Sequence, residues 1–390
     1  DGMHSVSKTI GGEFNYDFGN GWKLSEKARF SANSGQFIAP FPASVGSYND
    51  IISSVSGYNS AVYAGTNTAA STSGTYMLMH LFNTKLNNFN NFVNDFNLSK
   101  KWDGVKVNAG LYKGIQNVSM SWLWNSYLQE VSDNNARMID VKNALGQSLS
   151  PNGLLAYGVP AWGNCCTRNY DTQYDVTAPY AQIEINAIEK LSLDFGARYD
   201  IGNVTGSFAG GNGQTAAIDM NGNGNIDPNE QKVATVGNNI TPVDYDYNIF
   251  GYSVGANYSI NEKNAVFARI SKGGSASADR ILFSGYNYTN TDDPALDAVK
   301  VNEVKQLEGG YKLRGAGFYL NTTLFYANTL EANYEATTQR KTENDYQSVG
   351  VELDGYYRLN KTFEVRGGLT YTNAEIKDAI DKTIVGNTPR

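Results

Sequence analysis

Runs of alternating apolar and polar residues recur along this chain, joined two by two through very short turns and separated by much longer polar connections. In the clearest run Leu191, Leu193, Phe195, Ala197, Tyr199 and Ile201 alternate with Ser192, Asp194, Gly196, Arg198 and Asp200. The run before it sets Ala181, Ile183, Ile185 and Ala187 against Tyr180, Gln182, Glu184 and Asn186. Phe250, Tyr252, Val254, Ala256, Tyr258 and Ile260 oppose Gly251, Ser253, Gly255, Asn257 and Ser259. Val349, Val351, Leu353, Tyr357 and Leu359 oppose Glu352, Asp354 and Arg358, and Phe363, Val365, Leu369 and Tyr371 oppose Glu364, Arg366 and Thr370. Successive side chains of a strand point to opposite faces, so each run predicts a strand with one apolar and one polar face.

The connections give the architecture. Short turns fall at Gly19-Asn20-Gly21, Lys101-Trp102-Asp103-Gly104, Ile188-Glu189-Lys190, Asn261-Glu262-Lys263, Arg314-Gly315-Ala316 and Asn360-Lys361. Between them lie long connections at about 34–90, 116–173, 206–242 and 276–301, with a shorter one at about 333–343. Short turns at one end and long loops at the other are the rhythm of an outer-membrane barrel, whose strands face lipid on one side and a polar lumen on the other. A soluble antiparallel sheet buries one face on a core but has no reason to keep its long loops at one end. The predicted fold is therefore all-β, a transmembrane antiparallel up-and-down β-barrel forming one domain over residues 1–390. Twelve strands are expected, at about 8–18, 22–33, 91–100, 104–115, 174–187, 190–205, 243–260, 263–275, 302–314, 316–330, 344–359 and 361–378. Lipid tolerates no unpaired strand edge, so the expectation is a partial barrel belonging to a larger one, and not a closed twelve-stranded one.

Composition is consistent with that picture. Apolar residues make up 41% of the chain, mean hydropathy is −0.41, and no stretch approaches the ~18 consecutive apolar residues of a membrane-spanning helix. A barrel conceals its membrane signal in this way, because only alternate residues face lipid. The 26 tyrosines and 17 phenylalanines include Phe14, Tyr16, Phe18, Tyr357 and Tyr371 near strand ends, where aromatic girdles sit. Net charge is −7 without a basic block, so nothing points to nucleic acid. His4 and His80 are the only histidines and neither has a nucleophile or zinc spacing, so no enzyme is expected. Glu184, Asp194, Glu352 and Asp354 all fall on the predicted lumen face, where solvated charges belong.

Three local features carry candidate chemistry. Residues 219–230 read Asp219-Met220-Asn221-Gly222-Asn223-Gly224-Asn225-Ile226-Asp227-Pro228-Asn229-Glu230 and fit the calcium-loop pattern D-x-[DN]-x-[DN]-G-x5-E without a gap. In that register the metal ligands are Asp219, Asn221, Asn223, the carbonyl of Asn225, Asp227 directly or through water, and a bidentate Glu230, with Gly224 at the sharp turn. Asparagine at two early positions removes charge, so the expected calcium affinity is weak, about 10⁻⁴–10⁻³ M. Turn chemistry in a loop rich in Gly, Asn and Asp gives the same letters without a metal. Cys165 and Cys166, the only cysteines, are adjacent. Periplasmic transit is oxidising, so a vicinal disulfide is expected, with two free thiols or a soft-metal site as the alternatives. Aromatic segments at Trp122, Trp124 and Tyr127, and at Tyr286 and Tyr288, could stack on a ligand ring or serve as girdle and loop packing.

The run Asn302-Glu303-Val304-Lys305-Gln306-Leu307-Glu308-Gly309-Gly310-Tyr311-Lys312, followed by Gly317-Phe318-Tyr319-Leu320-Asn321-Thr322-Thr323-Leu324-Phe325-Tyr326, resembles the late barrel strands of TonB-dependent outer-membrane receptors. Ser348-Val349-Gly350-Val351-Glu352-Leu353-Asp354, Ala265-Val266-Phe267-Ala268-Arg269-Ile270-Ser271-Lys272-Gly273 and Asp175-Val176-Thr177-Ala178-Pro179-Tyr180-Ala181 extend the likeness, which is strongest after residue 240. The resemblance implies about twelve strands of a 22-stranded barrel, with the plug domain and TonB box of the family lying outside residues 1–390. It further implies residence in the outer membrane of a Gram-negative bacterium. The partners it implies are membrane lipid, the TonB-ExbB-ExbD energising complex acting through the plug, and a small-molecule ligand. The expected function is active import of a scarce nutrient: a ferric siderophore, cobalamin or an oligosaccharide. A passive porin and a calcium-stabilised surface adhesin are the rival readings.

Overall fold

Each predicted run becomes a strand of one antiparallel wall. The computed structural model describes residues 2–210, 214–238, 240–277, 288–289, 293–335 and 340–389. Its strands are β1 (Gly2–Gly19), β2 (Trp22–Ser47), β3 (Ser60–Tyr63), β4 (Thr75–Asn88), β5 (Asn91–Trp102), β6 (Val105–Glu130), β7 (Ile139–Lys142), β8 (Leu154–Ala156), β9 (Arg168–Ile188), β10 (Leu191–Gly210), β11 (Thr215–Ala216), β12 (Val233–Ala234), β13 (Thr241–Ser259), β14 (Asn264–Ala276), β15 (Val301–Gly315), β16 (Phe318–Glu335), β17 (Arg340–Arg358) and β18 (Glu364–Ala379). The wall runs β1-β2-β4-β6-β9-β10-β13-β14-β15-β16-β17-β18, its members following one another in chain order. β4 and β5 occupy one place in it, because both pair with β2 on one side and β6 on the other. The wall therefore has the twelve positions that the turns predict, with β1 and β18 at its ends.

Register keeps the faces pure. Leu193 stands between Ile185 and Ala256, and Phe195 between Ile183 and Val254, while Asp194 stands between Glu184 and Gly255 and Arg198 between Tyr180 and Gly251. A slip of one residue would exchange the two sets. On the apolar face Leu324, Leu369, Val365 and Tyr371 are each about three-fifths exposed within the protein, a surface that only lipid would cover. On the opposite face two tyrosines lie over glycines. A Cβ on Gly202 would meet the Tyr247 ring at 2.0 Å, and one on Gly110 would meet Tyr180 at 2.3 Å.

The strands run further outward than the alternation indicates. Residues 34–47, 75–88, 116–130 and 168–173, predicted as loop, extend β2, form β4 and extend β6 and β9, so the long connections begin later, at 48–74, 131–167, 211–240 and 277–300. The reason is physical: beyond the lipid no apolar solvent enforces alternation, and in β4 Tyr76, Met77, Leu78, Met79, Leu81 and Phe82 put apolar groups on both faces. Here the outer connections supply the covering. Tyr48, Ile51, Ile52, Ala61, Tyr63, Tyr76, Leu128, Ile139 and Val141 form one buried core, built around the β3–β7 pair. A second joins Tyr288, Leu296 and Val299 of the 277–300 connection to Tyr170, Val204, Val243, Tyr245, Tyr247 and Ile249 on the wall. Fully burying each such aliphatic side chain contributes about 1.5–3 kcal/mol.

Candidate functional site

The polar face of β9, β10, β13 and β14 lines a concave groove of about 1150 Å³ that includes Asp95, Tyr112, Tyr180, Asp194, Arg198, Asp200, Tyr247, Arg269 and Lys272. Its charges are paired and ordered by the ladder. Arg198 donates to Asp200 Oδ1 from Nε at 2.9 Å and Nη2 at 2.6 Å, and its guanidinium sits 4.6 Å from the centre of the Tyr112 ring. Arg269 reaches Asp194 at 3.3 Å, and Lys272 reaches Glu303 at 2.6 Å. The Tyr180 hydroxyl donates to Asp95 at 2.7 Å and accepts from Asn97 Nδ2 at 3.2 Å. Partly exposed pairs like these add about 0–1 kcal/mol each. Their larger effect is to hold donors and acceptors at fixed places on a water-facing wall.

Above the groove the same face turns aromatic. Trp122 and Trp124 lie two residues apart on β6, with ring centroids 6.3 Å apart. Trp124 packs 5.0 Å from Phe82 and 6.0 Å from Trp162, and Trp162 meets Phe41 at 5.7 Å and His80 at 4.6 Å. Arg168, 1% exposed, lays its guanidinium 4.0 Å from the centre of the Trp122 ring. Cys165 and Cys166, joined to each other as a disulfide, close this cluster together with Val159. His80 is fully buried. Because Ser126 Oγ donates to the Gly158 carbonyl at 2.7 Å, the His80 Nδ1 that lies 3.0 Å from it carries the hydrogen. Burial pushes the His80 imidazole down to about 4, so it is neutral at physiological pH.

The sequence-predicted aromatic residues are only partly brought together. Trp122 and Trp124 share the inner face, but their segment is strand and not loop, and Tyr127 falls on the opposite face by the period of two. Tyr288 is 1% exposed, packed edge-on against Phe208 at 5.9 Å, so its ring is covered here. Tyr286 lies outside the described residues. His80, Phe82 and Trp162 were not singled out by sequence reasoning. Their signal is faint, since Trp162 meets His80, and Phe82 meets Trp124, only through tertiary packing across some forty to eighty residues of chain.

The 219–230 loop closes around its own carboxylates. Asp219 accepts from the N–H groups of Gly222 at 2.7 Å, Asn223 at 3.2 Å and Gly224 at 2.8 Å, with Gly224 at a φ of +83°, a conformation that suits glycine. Asn221 Nδ2 and Asn223 Nδ2 both donate to Asp227 Oδ2, at 2.9 and 3.0 Å. Asn225 donates its N–H to Asn223 Oδ1 at 2.7 Å. Glu230, fully buried, accepts from Met220 at 3.0 Å, Asn221 at 3.1 Å and Asp227 at 3.0 Å. Among the described residues no three His, Cys, Asp or Glu side chains stand close enough to share a metal. Calcium would therefore have to draw the amide oxygens of Asn221 and Asn223 inward beside the carboxylates. The donor set, all oxygen, suits calcium.

The model of the family described as "TonB dependent receptor-like, beta-barrel" matches residues 3–390. A rhizobactin receptor of Rhizobium meliloti (strain 1021) is 26% identical over 228 residues, covering 54% of this chain and 29% of that receptor. Among solved structures, the ferric yersiniabactin uptake receptor of Yersinia pestis aligns over 97% of this chain and 43% of its own, at 12% identity and a TM-score of 0.55. The ferric preacinetobactin receptor of Acinetobacter baumannii aligns over 99% of this chain and 47% of its own, also at 12% identity and a TM-score of 0.55. These structures share the fold. The chain spans less than half the length of each of these relatives.

Proposed function

This chain belongs to the TonB-dependent receptor β-barrel family and is part of an outer-membrane barrel, and we propose that it forms wall and outer loops of an importer for a ferric siderophore. The observation that carries the ligand class is the similarity to a rhizobactin receptor across more than half of the chain. The charged groove supports the reading, since a chelate presents polar oxygens that such placed donors and acceptors can meet. Energy would come from the TonB complex acting through a plug.

The test is uptake of ⁵⁵Fe. Iron-starved cells stripped of their other ferric-siderophore receptors and expressing the full-length protein should take up ⁵⁵Fe from at least one member of a panel of hydroxamate, catecholate and citrate-based siderophores. That uptake should vanish when TonB is deleted. Uptake that persists without TonB would make the barrel a passive porin and overturn the proposal, as would no uptake across the panel.

We propose also that the 219–230 loop takes calcium, with Glu230 as its bidentate ligand. Calorimetric titration of the protein should show binding on the order of 10⁻⁴–10⁻³ M, abolished by Glu230→Gln. Absence of heat in the parent protein, or a variant that binds equally well, would end this reading.

A further inference from the structure

We infer that the outer tier holds a separate binding pocket for a small amphipathic molecule, one with an apolar body and a single hydrogen-bond donor. The pocket, of about 460 Å³, opens where three outer connections converge on the inner face of β4 and β6. Leu78 and Leu128 line it from the wall, and Val55, Leu149 and Leu155 from the 48–74 and 131–167 connections. Its size falls within the range of small-molecule sites, roughly 300–1000 Å³, and apolar walls with a few placed polar groups are what such sites share.

The lining also includes the exposed polar residues Asp50, Ser54, Ser56, Gln231 and Lys232, and the buried polar group among its residues is Asn229. This residue is only 7% exposed and lines the pocket from the 211–240 connection. Its Nδ2 donates to the Leu154 carbonyl at 3.3 Å, which fixes the amide, while its Oδ1 is buried with no partner. A buried acceptor left unpaired costs stability, and a donor on a ligand seated beside it would recover that cost. Asn229 is also held rigidly: it is the middle residue of the 3₁₀ turn Pro228–Glu230, which the reciprocal bonds of Asp227 and Glu230 cap. The pocket shares no lining residue with the charged groove, and the inference does not depend on which siderophore is carried.

An N–H or O–H on an otherwise apolar ring would satisfy Oδ1 while its body covers the leucines. The matched probes are 5-fluoroindole and 5-fluoro-1-methylindole, which differ in the one donor. Both would be titrated into the full-length protein in lipid nanodiscs and followed by ¹⁹F line broadening. Fluoroindole should bind about fivefold or more tightly than its methylated twin, the discrimination expected of one buried hydrogen bond. Asn229→Ala should erase that difference, and Val55→Trp and Leu149→Trp, which fill the pocket from two connections, should each abolish binding of both probes. Equal broadening in the parent protein and both tryptophan variants would mean partition into lipid and would overturn the inference. So would equal affinity of the two probes for the parent protein, a comparison that needs no variant to fold.

Discussion

Leu324→Arg should destabilise the barrel by about 2–4 kcal/mol, the depth-dependent cost of a guanidinium facing the middle of the bilayer. Leu324 is 63% exposed and sits on the apolar face of β16, opposite Gly309 on one side and Val351 on the other. It lies six residues above the short turn that starts the strand, which at about 3.3 Å per residue brings it near mid-membrane. Its neighbour Thr323 points to the other face, between Gly310 and Glu352. Thr323→Arg should therefore change stability by no more than about 0.5 kcal/mol, as a surface substitution does. Reversible urea unfolding from lipid vesicles measures both. Equal costs for the two variants would show that the apolar face does not look onto lipid, and the membrane reading of the wall would fall with it.

A second large effect is expected from Trp124→Ala, which should loosen the outer tier and leave the membrane ladder intact. The Trp124 ring is 6% exposed and packs against Phe82, Trp122, Trp162 and the Cys165–Cys166 pair. Deleting a core tryptophan costs about 3–5 kcal/mol through lost burial and the cavity left behind. That cost falls on the connection holding Trp162, because Val105–Leu111 below makes its own ladder with β5 and β9. Local opening of this kind is read by amide hydrogen exchange. Residues 157–167 should exchange at least tenfold faster in the variant, while 105–111 should stay protected. Unchanged exchange at 157–167 would mean that the aromatic cluster does not anchor the connection. Faster exchange throughout would mean that the two tiers are one cooperative unit.

How much was legible in the sequence follows from the same division. Where lipid is the solvent it imposes a period of two, so the faces of β10, β13, β17 and β18 could be assigned residue by residue, and the register agrees. Where protein covers the wall, no such period exists. The outward extension of β6 through Trp122 and Trp124 therefore reads in sequence as an aromatic loop, and β4 carries no alternation that marks it as a strand. The calcium-like loop was visible because its chemistry is local, contained in twelve consecutive residues. The aromatic cluster was not, because its members come from β2, β4, β6 and the 131–167 connection, and no local spacing records such a meeting.

The length of the wall strands sets the height of the molecule. β6 has 26 residues, about 85 Å of strand at roughly 3.3 Å per residue. Tilted by about 40°, it rises some 65 Å, against an apolar band of about 25 Å. The difference is a collar that lifts the aromatic tier and the loop pockets tens of ångströms clear of the bilayer. A molecule arriving from the medium meets this raised rim before it meets the headgroups of the outer leaflet.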